Sequence, residues 1–180
     1  MFRGSVSVSR VVIVAAAFAA VGFGPARPVP AYPQTRPQDG TAVTPLGTGA
    51  QDSAFVPAAE EDLLAMLNAV RSEHGLAPLS MNGVLRGVAR GHSRDMALKG
   101  YIGHGSTDGE SFFTRMSRVV SRGTLTGENV AAAVDPVRIH AAFIHSEGHL
   151  KNILDPAFRR VGVGVATAGR LLIATEDFTD

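Results

Sequence analysis

Apolar side chains recur at helical spacing in the middle of the chain, and the first such stretch is Ala58–His74. Leu63, Leu67 and Val70 lie three or four positions apart, which is the spacing of one face of an α-helix. Acidic residues fill the first turn, where the helix dipole favours negative charge. Gly75 follows directly, as glycine does at many helix C-termini. The pattern predicts a helix from Ala58 to His74.

A second helical stretch, Met81–Lys99, carries three patterns. Leu85, Met96 and His92 share an apolar face, and we expect His92 to be a buried histidine with a backbone partner. Each glycine costs a helix about 1 kcal/mol relative to alanine, so repeated glycines predict close packing against a neighbouring element. Repeated arginines predict a solvated face. Both repeats have a period of four: Gly83, Gly87 and Gly91; Arg86, Arg90 and Arg94.

The C-terminal part of the chain shows strand patterns. Apolar residues alternate with glycine in Val161–Ala166, which predicts a β-strand. Gly169 is a turn residue, so Leu171–Thr175 is the predicted hairpin partner. Thr126–Ala133 is predicted to be a short strand or an extended turn. Helices come first and paired strands last, which indicates an α+β fold.

Two further segments lie between the second helix and the strands. Tyr101–Gly109 is rich in glycine and polar residues, and we predict a loop there. Ser111–Val120 is predicted to be a short amphipathic helix, with three side chains directed inward: Phe112, Phe113 and Met116.

Asp135-Pro136 is a strong helix start, because aspartate is a good N-cap and proline is favoured in the first turn. We predict a helix that runs to about Ser146 and is stopped by Gly148. His145 and His149 are four positions apart, as in some metal-binding helices, but the expected break at Gly148 argues against such a pair.

The N-terminal region is not expected to belong to the folded domain. Val11–Phe23 is apolar and has the length of a signal-peptide core, and small residues follow near Ala31. We therefore assign residues 1–31 to a signal peptide, with an uncleaved membrane anchor as the alternative. Residues 32–57 are rich in Pro, Gly and Thr and are predicted to be a disordered linker. The domain is predicted to span residues 58–180.

Composition narrows the chemistry. The chain has 17 Lys and Arg residues against 16 Asp and Glu residues, so its charge gives no reason to expect a nucleic-acid partner. It has no cysteine, which excludes disulfides, thiolate catalysis and cysteine-bound zinc. A metal ion could be held only by His, Asp, Glu or water. Removal of the signal peptide would leave no integral membrane segment.

Five short segments stand out in the order NAVRSEHGLAPL (68–79), ARGHSRDM (89–96), YIGHGSTDG (101–109), GEN (127–129) and SEGHLKNIL (146–154). In this order they resemble motifs of the bacterial branch of the CAP superfamily (cysteine-rich secretory proteins, antigen 5, pathogenesis-related 1), also called SCP-like extracellular domains. Residues 161–165 and 176–178 resemble the closing strands of that family. The resemblance covers roughly residues 60–180.

This resemblance implies an α-β-α sandwich with a small antiparallel sheet between helical layers. It also implies a cleft lined by two histidines and two acids. His104, Glu128 and His149 match three of these four positions. The fourth, a glutamate on the helix before His149, has no clear counterpart. Phe143 matches the family's usual aromatic position on that helix, and the next acid is Glu147, which is a candidate for the fourth position of the cleft. The family further implies a divalent metal, Zn or Mg, in the cleft.

The same residues allow more than one role. His104, His149 and Glu128 could hold zinc and leave one position open, or Glu128 could fix the tautomers of the histidines without metal. Glu128 could instead be a structural acid, with Asn129 capping a turn. Asn152 is predicted to pin the turn before Leu154. We expect His140 to be exposed.

The predicted function is that of an exported, extracellular CAP module that binds a divalent metal, a small molecule or a lipid-like ligand, with no enzymatic activity. Its partner would be a small molecule, a lipid or a component of the cell envelope. One alternative is a metal-dependent, peptidase-like hydrolase that uses His104, His149 and Glu128. Another is a serine hydrolase that uses Ser146 or Ser106, although the chain lacks a G-x-S-x-G motif.

Overall fold

The structure is a computed structural model that describes residues 43–47 and 49–180. The predicted signal peptide and the first part of the predicted linker lie outside these residues. The helices are α1 (Pro57–Glu73), α2 (Gly83–Lys99), α3 (Phe112–Ser117), α4 (Pro136–Ile144) and α5 (Glu147–Leu154). The strands are β1 (Val43–Pro45), β2 (Ser80–Met81), β3 (Tyr101–Gly103), β4 (Thr126–Ala133), β5 (Arg160–Ala168) and β6 (Leu171–Thr179).

A four-stranded sheet with the order β2-β5-β6-β4 forms the middle layer. Helix α2 packs on one face of the sheet, together with α3, and α1, α4 and α5 pack on the other. The predicted α-β-α sandwich is therefore confirmed. Its sheet is mixed rather than wholly antiparallel, because the short strand β2 runs parallel to β5.

The alternation in β5 sends its residues to opposite layers. Val161, Val163 and Val165 are fully buried in the core shared with α1 and α4. Gly162 and Gly164 face α2, where added Cβ atoms would lie 2.1 and 2.2 Å from backbone atoms of that helix. The glycines that permit close packing are thus on the strand. Our expectation for the glycines of α2 was wrong, because Cβ atoms at Gly83, Gly87 and Gly91 would meet nothing within 4 Å.

Two of the three arginines of α2 are not part of the solvated face that the sequence predicted, whereas Arg94 is exposed. Arg86 and Arg90 donate to the carboxylate of Glu60, with Nε–oxygen distances of 2.6 and 2.8 Å. Glu60 is completely buried and also accepts from the backbone N–H of Val165. Arg94 lies against the ring of Phe55, 5.9 Å from its centre. A periodic row of charges can be covered by a distant segment, and the sequence pattern does not reveal this.

Part of the predicted linker is structured. Strand β1 pairs antiparallel with β3, so Tyr101–Gly103 is a strand and not part of a loop. Phe55 forms a β-bridge with Ala166, and the N–H of Val56 donates to the carbonyl of Val165. Helix α1 begins at Pro57, one residue before the predicted start. Backbone pairing with the domain orders this segment despite its loop-like composition.

The helix predicted to follow Asp135 ends earlier than expected, and a second helix begins after it. Asp135 caps α4 as expected, and its side chain accepts from the N–H of Arg138. However, α4 ends at Ile144, and the extended backbone of Ser146 starts α5. Gly148 therefore lies inside α5 instead of stopping α4. His145 and His149 belong to different elements, so they do not form a helical ligand pair.

Two smaller predictions also differ. Phe112 and Met116 of α3 are buried as predicted, but Phe113 is 64% exposed. Helix α3 has only six residues, which is shorter than the predicted helix, so fewer of its side chains face inward.

Within residues 43–47 and 49–180, no helix has the length and apolar character needed to cross a bilayer.

Candidate functional site

The candidate site lies at the edge strand β4, which connects the two helical layers. Successive residues of a strand point to opposite faces of the sheet. Glu128 therefore points to the face that carries α2 and α3, and Asn129 points to the face that carries α5. The fold brings His104, which follows β3, and His149, in α5, to this edge from opposite sides.

Glu128 is the centre of the site on the α2 face. Its side chain is 1% exposed. Oε1 lies 2.9 Å from Nδ1 of His104, and Oε2 accepts from Nη2 of Arg115 at 2.8 Å. Because a carboxylate only accepts, Nδ1 of His104 carries the proton. Arg115 also donates to the backbone carbonyl of His104 at 2.8 Å, which fixes the loop that carries this histidine.

A second buried carboxyl group stands beside Glu128. Asp177 in β6 is the direct cross-strand partner of Glu128 and is completely buried. Burial and the neighbouring charge of Glu128 raise the pKa of Asp177 well above its usual range. Burial also opposes ionisation of Glu128, but the hydrogen bond from His104 and the charge of Arg115 hold its pKa below the ordinary value. Of the two carboxyl groups, Glu128 is thus the one that ionises more readily and Asp177 the one that holds its proton more firmly.

His149 completes the cluster from the other side of β4. Its ring centre lies 6.3 Å from that of His104, with an angle of 62° between the planes. Phe143 of α4 packs edge-on against it at 5.3 Å. Burial, followed by the nearby His104, lowers the pKa of His149 to about 4. His149 is therefore neutral at pH 7, and its imidazole is free to act as a ligand or as a hydrogen-bond acceptor.

An amide network holds α5 against β4. The side-chain amide of Asn129 donates to Glu176 at 2.9 Å and to the backbone carbonyl of His149 at 3.3 Å. Asn152 donates to the carbonyl of Glu128 and to the side chain of Asn129. Asn152 is structural, as predicted, but its side chain joins α5 to β4 and does not pin the turn before Leu154. Asn129 positions His149 and does not cap a turn.

Glu176 gives a prediction for the pH dependence of stability. Burial raises its pKa to about 8, whereas the usual value is 4.5. Between these two values the folded state holds a proton that the unfolded state has released, so stability from this group is present below about pH 4.5 and is lost as the pH rises through 8. We expect urea unfolding of Glu176→Gln to lack this loss, which is on the order of 4 kcal/mol.

The control for this prediction is Glu147→Gln, because Glu147 is exposed. It should leave the dependence of unfolding free energy on pH unchanged. If the Glu176→Gln protein loses as much stability between pH 5 and pH 9 as the unaltered protein does, Glu176 is not a neutral acid in the fold.

The structure brings together His104, Glu128 and His149, as the motif positions predicted. It does not bring Glu147 to them: this residue lies exposed in the first turn of α5 and has no hydrogen bond to the three. His92 is a buried histidine whose Nε2 lies 2.8 Å from the carbonyl of Gly103, as predicted. His140, however, is only 9% exposed, because α4 packs against β4 and α1.

Sequence reasoning missed Arg115, Asp177 and Glu176. Arg115 lies on a short helix whose sequence pattern indicates only its apolar face. The two acids lie in the Glu-Asp-Phe segment, which by resemblance indicates only a closing strand. Their charge in an otherwise apolar strand was the available signal, because acids are rarely buried in a core without a partner.

The donor set only partly fits the expected metal. His104 is oriented by a carboxylate, as metal-binding histidines commonly are, and His149 is neutral. Both oxygens of Glu128 are already hydrogen-bonded, so the predicted third ligand is engaged elsewhere. In the described part of the chain, no group of three His, Asp or Glu side chains could hold an ion. Two imidazoles sharing one zinc would have ring centres about 5 Å apart, which is closer than the 6.3 Å observed.

Comparison with known proteins assigns the chain to a family. The model of the cysteine-rich secretory protein family, CAP, matches residues 64–176. This match covers more than half of the chain, which therefore belongs to the CAP family.

Individual relatives agree with this assignment. The chain is 39% identical over 118 residues to the uncharacterized protein YkwD of Bacillus subtilis (strain 168), covering 64% of this chain and 46% of that protein. It resembles an extracellular SCP-domain protein of Bacillus anthracis, with a TM-score of 0.62 and 33% identity, covering 68% of this chain and 40% of that one. The chain thus spans less than half the length of these relatives.

A more distant structure shares the fold. An outer surface protein of Borrelia burgdorferi matches with a TM-score of 0.64 and 16% identity, covering 72% of this chain and 98% of that one. At this identity the likeness concerns the fold alone.

Proposed function

We propose that this protein is an exported CAP module that binds a small ligand between His104 and His149 and that it works as a binding module and not as an enzyme. The observation that carries the proposal is the neutral imidazole of His149 beside a histidine whose tautomer is fixed by a buried carboxylate. Such a pair offers nitrogen acceptors to a divalent metal ion or to the polar group of a small or lipid-like molecule.

The hydrogen bonds around His104 support this role. With Nδ1 donating to Glu128, Nε2 is the ring nitrogen of His104 that is left to meet a ligand. The His104 side chain is 27% exposed, whereas those of Glu128 and Arg115 are nearly buried. The carboxylate and the guanidinium therefore position His104, and the imidazole is the group that meets a ligand.

Export is proposed on two grounds. The apolar segment Val11–Phe23 has the character of a signal-peptide core. The Bacillus anthracis relative, which is 33% identical, is described as extracellular. The ligand would then be met outside the cytoplasm, as a free ion, a small molecule, a lipid or a part of the cell envelope.

The hydrolase alternative has one observation in its favour, which is the carboxylate–histidine pair itself. A metal-dependent peptidase would need His104 and His149 to hold the ion and Glu128 to act as base. Glu128 is shielded from solvent and hydrogen-bonded to two partners, which suits a positioning role better. Among the described residues neither His104 nor His149 bonds to a hydroxyl group, so the serine hydrolase interpretation has no such support.

Zinc titration of the full chain tests the proposal. We expect calorimetry to give a saturable heat, and His149→Ala to weaken binding at least about tenfold, because a ligating nitrogen is lost. Glu128→Gln should weaken it by about 10- to 100-fold, the usual effect of removing a supporting carboxylate. His145→Ala is the matched control, since His145 is exposed and its ring bonds to the carbonyl of Ala141.

The NMR signals of the histidine rings test binding of the other proposed ligand types as well as zinc. Zinc chloride, magnesium chloride or palmitate, each added separately, should shift the Hε1 signals of His104 and His149 together. If none of the three moves these signals, the proposed binding role is wrong. If zinc binds equally well to His149→Ala, the ion is held elsewhere.

A further inference from the structure

An N-terminal strap, made of residues 43–47 and 49–56, crosses the end of α2 before α1 begins. It lies wholly before residue 64, where the match to the CAP family model starts. At its beginning β1 pairs with β3, and at its end Phe55 forms a β-bridge with Ala166 of β5. The strap is therefore ordered structure beyond the part of the chain that the family model matches.

The pairing of β1 with β3 ends one residue before His104, because Val43 lies opposite Gly103. Among the described residues, β1 is the only strand that pairs with β3, and the two form a separate two-stranded sheet. The strap thus supplies the whole backbone ladder of the strand that leads into His104.

The hydrogen bonds of this ladder fall on alternate residues of β1. The N–H of Leu46 donates to the carbonyl of Gly100 at 2.8 Å. Bonded pairs alternate along an antiparallel ladder, so the next bonded pair is Thr44 with Ile102. Pro45, which has no N–H, stands at the position between them, where the backbone points away from β3. The sequence of β1 thus suits a strand that pairs on one side only.

Close contacts with α2 fix the rest of the strap. The N–H of Ala50 donates to the carbonyl of Ala97 at 2.9 Å. Gly49 packs so tightly that an added Cβ atom would lie 1.9 Å from the carbonyl oxygen of Leu98. The guanidinium group of Arg90 lies over the ring of Phe55. The strap is therefore anchored to the domain along its length and can restrain β3.

Two side chains hold the same loop from the inner side. Nε2 of His92 lies 2.8 Å from the carbonyl oxygen of Gly103, and Arg115 donates to the carbonyl of His104 at 2.8 Å. The backbone before His104 is thus restrained by α2 and α3 on one side and by β1 on the other. The 2.9 Å contact between His104 and Glu128 depends on the position of this backbone.

We propose that the N-terminal strap positions His104 for ligand binding by holding β3 in place. This inference rests on the proposed function, since it assigns the strap to the same site. The strap acts through β3 and not by touching the ligand, so it is a positioning segment. Its release should affect His104 and leave the ring of His140, on α4, in its present surroundings.

Thr44→Pro tests the proposal on the full chain, because it removes the N–H that bonds to Ile102. We expect the amide hydrogen of Ile102 to exchange with solvent faster, and the NMR ring signals of His104 to shift in the absence of any ligand. Zinc binding should weaken about 2- to 30-fold, the usual range for changes that act through intervening residues. Val43→Pro is the matched control, since its N–H points away from β3 as that of Pro45 would, and it should change none of these.

Gly49→Ala is a second variant whose effect does not depend on proline. Its Cβ would collide with the backbone of Leu98, so it should release the strap and shift the ring signals of His104 as Thr44→Pro does. Leu67→Val separates positioning from a general loss of stability. It leaves a gap in the core between α1 and the sheet without altering β1, and the His104 signals should stay in place.

Unchanged ring signals of His104 in both Thr44→Pro and Gly49→Ala would overturn the proposal, as would an equal shift in Leu67→Val or Val43→Pro. An amide of Ile102 that stays as protected in both strap variants would also contradict it, because the strap would then not hold β3. The ring signals are recorded without ligand. A failure of the unaltered protein to bind zinc therefore counts against the proposed function alone and leaves this test in force.

Discussion

Replacing Glu60 by alanine is expected to lower the free energy of unfolding by about 3–5 kcal/mol, because it breaks a buried ion pair from one side. Glu60 is completely buried and bonds to Arg86, Arg90 and the backbone of Val165. The two guanidinium groups are 22% and 28% exposed, so water replaces the lost carboxylate only in part. The change also removes the link between α1, α2 and β5.

The neighbouring Glu61 is a matched control for this prediction. It also pairs with Arg86, at 3.0 Å, but its side chain is 58% exposed. Glu61→Ala should therefore change the unfolding free energy by less than about 1 kcal/mol. Urea unfolding followed by circular dichroism measures both variants. Equal effects of the two substitutions would show that burial does not increase the contribution of Glu60 to the free energy of unfolding.

The second large effect is expected for Gly164→Ala, which should destabilise the protein by about 3 kcal/mol or prevent folding. A Cβ atom there would lie 2.2 Å from the backbone nitrogen of Arg90. Backbone atoms in the middle of a helix cannot move aside without shifting α2 from the sheet. The cost therefore comes from separating two layers and not from the backbone conformation of glycine.

Gly91→Ala is the control, because it makes the same chemical change on the facing helix. Its Cβ would meet nothing within 4 Å, and alanine is favoured over glycine in a helix by about 1 kcal/mol. We expect this variant to be more stable than the unaltered protein in thermal unfolding. A similar loss in both variants would contradict the close contact between β5 and α2.

The fold holds together without cysteine, although the family is named for cysteine-rich proteins. Buried charged groups join its layers in the described residues. Glu60 connects α1 to α2 and β5. Arg71 of α1 is completely buried and donates to the carbonyls of Ala77, Ile153 and Asp155, which ties α1 to the end of α5. Breaking either group leaves an uncompensated polar atom in the core.

The sequence alone determined the elements whose signals are local. The 3.6-residue period indicated α1, the alternation of valine and glycine indicated β5, and Asp135-Pro136 indicated the start of α4, because each signal depends only on neighbouring residues. The ordered motifs also indicated His104, Glu128 and His149 as positions of one site. Those positions were found through family resemblance, since nothing in their spacing along the chain requires that they meet.

Only the tertiary structure decided which charged and small residues are enclosed. Glu60 and Arg86 are 26 positions apart, and Arg115 and Glu128 are 13 apart, so their pairing depends on how the layers stack. The same holds for the glycines: a helix packs directly against Gly164, whereas Gly91 borders open space. Periodicity identifies a face of a helix or strand, but burial of that face is set by a segment elsewhere in the chain.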